Sequence, residues 1–105
     1  MHLTSFSDFL NHCHTLKNVP LQTESQKKPF SIEIINNNLW FIPLSSGKRR
    51  RANPEKVEFV LTQLNKTGSH SPSNYKLITR HASYILAVAN NHAKNILTHP
   101  SSGTH

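Results

Sequence analysis

Between Phe30 and Leu44 the chain changes its hydrophobic period, and that change constrains the fold most. Phe30, Ile32 and Ile34 alternate with Ser31 and Glu33, the period of a half-buried strand. Asn36-Asn37-Asn38 follows, and asparagine tolerates the left-handed backbone that a tight hairpin demands. Leu39 to Leu44 then reads as a second strand, apolar on both faces. Pro43 lacks an N–H, so this strand lies at an edge or ends near that residue. The segments on either side repeat at three and four. A β-hairpin set among helices predicts an α+β fold.

The first helix is read from Leu3, Phe6, Phe9, Leu10, Cys13 and Leu16, which form one stripe. Ser5 can cap it, Asp8 suits its positive end, and Asn18-Val19-Pro20 ends it. Leu21 to Pro29 is polar and reads as a surface linker. A second helix opens on Asn53, Pro54 and Glu55, a cap, a first-turn proline and an acid at the positive end. Val57, Val60, Leu61 and Leu64 form its buried stripe, and Gly68 can close it in the left-handed conformation. Ser71-Pro72 repeats the cap-then-proline pattern, predicting a last helix to about Lys94 or beyond. Two helices packed on one hairpin complete the sketch.

With 105 residues, of which 35% are hydrophobic, the chain holds one domain around a small core. Residues 1–98 are assigned to it, and 99–105 are expected to form a disordered tail. No apolar run approaches the ~20 residues of a membrane span. The start of the chain lacks a basic-then-apolar leader. One cysteine, Cys13, allows neither an internal disulfide nor a cysteine-based zinc site. A soluble cytoplasmic protein without membrane contact is expected.

Charge carries the functional argument. Twelve Lys+Arg against five Asp+Glu give a net charge of +7, which favours polyanionic partners. Four of these cations are consecutive: Lys48, Arg49, Arg50 and Arg51. They repel one another, and a phosphate backbone would relieve that repulsion. Ser45, Ser46 and Gly47 precede them, two hydroxyls and a glycine that allows close approach. The simpler reading is a solvated loop kept charged for solubility.

On a continuous last helix, Tyr75, Ile78, Ala82, Ile85, Leu86 and Ala89 share a core face. Ser73, Lys76, Thr79, Arg80, Ser83 and Lys94 share the opposite, basic face. With Thr67 to Ser71 as a short turn, the last two helices outline a helix-turn-helix, and Ser73, Asn74, Lys76, Thr79 and Arg80 would face a groove. Any two packed helices need such a turn, so backbone contact without base reading fits equally well. Leu77, His81, Tyr84, Val88 and His92 form an intermediate flank, too apolar for idle surface. It is expected to pack on the hairpin; otherwise Leu77, His81, Tyr84 and Val88 make an oligomer interface. A two-stranded sheet is marginal alone, which favours a homodimer.

Trp40 and Phe41 point to opposite strand faces. Burial of both is favoured if helices cover both faces; an exposed one beside cations could stack on bases. The histidines form no metal-ligand spacing, so neither metal nor cofactor is expected. Cys13 falls on an apolar stripe and reads as a buried side chain. Five carboxylates and no catalytic signature argue against an enzyme. The enzymatic class left open is a metal-independent ribonuclease using Lys76, Arg80, His81 and Tyr84.

The expected function is therefore DNA or RNA binding through Lys48, Arg49, Arg50, Arg51, Lys76, Thr79 and Arg80. The alternatives are a protein-interaction or homo-oligomeric module with an acidic partner, and the ribonuclease.

Overall fold

The computed structural model describes residues 3–24, 26–68, 75, 79 and 81–98. Helix α1 (Phe6–His14) leads into strands β1 (Leu21–Gln22), β2 (Pro29–Ile35), β3 (Asn38–Pro43) and β4 (Arg50–Arg51). Helices α2 (Pro54–Thr67) and α3 (Ala82–Thr98) follow. The strands form one antiparallel sheet in chain order. The fold is α+β, with a helix, a hairpin and then helices, as the hydrophobic periods predict.

The local signals act where the sequence places them. Ser5 accepts from the Asp8 N–H at 3.1 Å, and Asn53 accepts from the Lys56 N–H at 3.2 Å. Gly68 closes α2 with φ 71°. Asn36 and Asn37 adopt φ 52° and 64°, so a two-residue turn joins β2 to β3. Asn38, the third of the run, begins β3 opposite Ile35.

Three boundaries differ from the sequence reading. Leu21 to Pro29 is not merely a linker. Leu21 and Gln22 pair with Phe30 and Pro29, and Leu21 and Thr23 are buried. Thr23 holds the turn together: its N–H donates to Lys28 O, and its Oγ1 accepts from the Lys28 N–H, both at 3.0 Å. The basic run is not wholly a loop either, because Arg50 and Arg51 pair with Phe41 and Trp40. A four-stranded sheet removes the reason for expecting dimerisation from a bare hairpin.

The third difference is the last helix. It starts at Ala82, and Thr79 lies outside it. The Thr79 N–H bonds Tyr75 O at 3.0 Å, and Thr79 Oγ1 accepts from the His81 N–H at 3.1 Å. Residues 69–74, 76–78 and 80 lie outside the described residues, and the turn expected at Thr67 to Ser71 falls largely among them. Tyr75 and Ala82 are buried as the helical stripe requires, but burial does not demand a continuous helix between them. The expected helix start at Ser71 and the tail at 99–105 lie outside the described residues.

All described helices use one face of the sheet. Phe30, Ile32, Leu39 and Phe41 point into the core with Phe9, Cys13, Val57, Val60 and Leu61. Helix α3 is the central element. Ile85, Leu86, Ala87, Val88 and Ala89 are five consecutive buried residues, as in a helix surrounded by protein. Tyr84 packs on the sheet, stacked on Phe41 at 5.3 Å and edge-on to Phe30 at 4.9 Å. Glu58 ties α2 to α1, its Oε2 accepting from the Phe6 N–H at 2.7 Å, where the helix dipole favours a carboxylate.

Cys13 is buried, and burial pushes its thiol up to about 12. The nucleophilic thiolate is then scarce near neutrality. We expect a thiol reagent at about pH 8 to leave the native chain unmodified and to label it once urea unfolds it. The folded value lies above the ordinary 9.0, so folding favours the protonated thiol. That contribution to stability is complete below about pH 9 and is lost as pH rises towards 12. Urea midpoints should fall more steeply across this range in the native chain than in Cys13→Ala.

Candidate functional site

The face of the sheet away from the described helices carries the most distinctive group of side chains. Alternation sends Phe41 inward and Trp40 outward. The described helices cover one face alone, so the condition for burying both aromatics is not met among the described residues. Phe41 is fully buried and Trp40 is half-buried. Pairing sets Glu33 opposite Trp40 and Trp40 opposite Arg51, so these three side chains form a row across β2, β3 and β4. Ser31 and Ile42 form the next row, and Ile35 and Asn38 the last.

Arg49 reaches over this row. Its Nη1 donates to Glu33 Oε1 at 2.9 Å, and its guanidinium carbon lies 5.3 Å from the Trp40 ring centroid. Arg51 Nη2 donates to Asn38 Oδ1 at 3.2 Å. Trp40 Nε1 is covered and has no hydrogen-bond acceptor, an arrangement that costs about 1–3 kcal/mol. The Arg49–Glu33 pair is half exposed on both sides, 51% and 42%. Such a pair contributes about 0.2–1 kcal/mol, and an exposed cation–π contact about 0.5–1 kcal/mol. Arg49 is therefore held weakly enough to exchange partners.

The four consecutive cations do not share one direction. Register places Arg51 on the open face, where Arg49 meets Trp40 and Glu33, and Arg50 on the side of Phe41. All four of Lys48, Arg49, Arg50 and Arg51 are exposed at one sheet edge. Gly47 sets up their approach: φ is 68°, and its N–H donates to Pro43 O at 2.8 Å. A left-handed turn after β3 therefore returns the chain to β4, which requires glycine more than ligand approach does.

The second group of site residues falls only partly within the described residues. Lys76, Leu77 and Arg80 lie outside the described residues. Thr79 is buried, so its expected place on an exposed groove-facing surface is corrected: its hydroxyl serves the backbone ahead of α3. Val88 has no exposed surface and Tyr84 packs on two sheet aromatics. Tyr84 and Val88 thus pack inside the chain, as the favoured reading of this flank expects, and Val88 offers no surface to the alternative subunit contact. His81 is half-buried beside Tyr84, with ring centroids 6.3 Å apart.

Sequence spacing missed two groupings. Glu33 and Arg49 are sixteen positions apart, and no local pattern joins them. His12 and His92 meet between α1 and α3 at 4.9 Å, with His12 Nε2 2.9 Å from Asn91 Oδ1. Among the described residues no three His, Cys, Asp or Glu side chains gather to hold a metal. No helix there is long and apolar enough to cross a membrane.

No protein-family model, curated protein or solved structure matches the chain.

Proposed function

We propose that this chain binds nucleic acid through the β4 edge and the adjoining open sheet face. The observation that supports this reading is the cluster of Lys48, Arg49, Arg50 and Arg51 at one exposed edge. Glu33 answers Arg49 alone, through a weak surface pair. Phosphates would take up the remaining charge and release counterions. The same charges also guard a sheet edge against pairing with other chains, and a binding measurement separates the two roles.

The test is a salt titration of binding to labelled duplex DNA, single-stranded DNA and RNA. Arg49→Ala combined with Arg50→Ala should weaken binding and reduce the slope of log affinity against log salt by roughly 0.7–0.9 per lost phosphate contact. Affinity and slope equal to the parent chain would refute the reading. Aggregation of the double variant with unchanged binding would assign the charges to edge protection.

Phe59 favours a second reading, a protein-interaction module. It is 60% exposed on α2, on the side away from the core. A partner should be lost with Phe59→Ser and kept in the arginine variants.

A further inference from the structure

We infer that the nucleic acid held by this chain is single-stranded, and that one of its bases stacks on Trp40 in the place Arg49 occupies. This rests on the reading just proposed and goes beyond it to the form of the strand. The basic edge by itself would suit any phosphate backbone. The open sheet face beside it would not. It offers an aromatic ring and the apolar side chains of Ile42 and Ile35, the latter 40% exposed. A duplex keeps its base faces stacked inside, so this surface gains nothing from it. An unstacked base presents a π-face, and aromatic platforms beside cations are how single strands are held without regard to sequence.

Two features of Trp40 bear on this. One is the ring face that Arg49 covers at 5.3 Å. The other is its Nε1–H, which has no acceptor. Arg49 sits between base platform and phosphate site by geometry. Its side chain can leave the ring and Glu33 for a phosphate while a base takes over the ring. The exchange gives up one exposed ion pair and one cation–π contact, and it gains a charge-assisted phosphate contact and a base stack. Arg51 lies in the same row as Trp40, placed for a neighbouring phosphate. Charge complementarity selects the polyanionic strand over a second, equally cationic copy of this chain as the occupant of this face.

The chain has one tryptophan, so its emission reports on this position alone. The parent chain would be titrated with an oligothymidylate and an oligouridylate of about ten residues, within the usual single-strand site size. A duplex of the same length and an abasic phosphodiester serve as comparisons. Both single strands should quench Trp40, with any difference between them showing whether the sugar matters. The abasic chain should bind roughly 5- to 150-fold more weakly, the range expected for one lost stack. Trp40→Ala should lose the same factor on single strands and nothing on duplex, whereas Trp40→Phe should keep most of it. Thermal melting of both variants checks that they fold; if Trp40→Ala does not, the abasic comparison in the parent chain decides. Equal binding of duplex, abasic and single-stranded probes with silent emission would overturn the platform and leave the basic edge standing. Failure of every probe to bind would overturn the nucleic-acid reading itself. An emission change that follows protein concentration and self-association, without nucleic acid, would assign the face to a second copy and overturn the platform.

Discussion

Phe41→Ala is expected to destabilise the folded chain by about 3–5 kcal/mol, the range for deleting a buried aromatic ring. Phe41 is fully buried at the centre of the sheet. It stacks on Tyr84 of α3 and meets Phe30 of β2 edge-on at 6.2 Å. Phe30 and Tyr84 also touch each other, so three rings join two strands to the central helix. Truncating Phe41 removes its apolar burial, two ring contacts and the packing that fills the space between them. A domain of this size has about 5–15 kcal/mol in total, so the loss is a large fraction. Urea denaturation should show a lower midpoint with an unchanged slope. Phe41→Leu, which keeps apolar volume, should lose much less. A cost below about 1 kcal/mol for the alanine variant would contradict the burial described here.

Val88→Asp should abolish cooperative folding. Val88 has no exposed surface and sits in the run of five buried residues at the middle of α3. A carboxylate there has no partner, and an unpaired buried charge is among the few changes that cost more than about 4 kcal/mol. Because that variant leaves nothing to titrate, Val88→Thr provides the graded measurement. It keeps the shape and buries one hydroxyl, at a cost of about 1–3 kcal/mol. Both outcomes separate a core role from a subunit contact. Were Val88 an interface residue, the aspartate variant would remain folded and change its mass in solution. Cooperative unfolding of Val88→Asp near the parental midpoint would restore the interface reading.

The elements that the chain announced locally are those whose causes are local. Ser5, Asn53, Pro54, Gly68 and the Asn36-Asn37 turn act on backbone groups within four residues. The β1 strand was not legible, because Leu21-Gln22 is too short for a period and becomes a strand by pairing with Phe30 and Pro29. The break before α3 was hidden for a related reason. Tyr75, Ala82 and Ile85 are buried, as a helical stripe would bury them, yet Thr79 between them is not helical.

The site divides in the same way. That Lys48 to Arg51 are consecutive cations is a property of the sequence alone, and so is the opposition of Trp40 and Phe41 across a strand. Tertiary structure decided which of the two aromatics is core, since that depends on which sheet face the helices cover. It also decided that Arg49 lies over Trp40 and against Glu33, because cross-strand register joins residues that no helix or strand period relates. The α+β order, the caps, the turn and the position of the charge are all local to the sequence. The rest required the packed chain, because facing, register and burial are relations between segments, and no segment contains them.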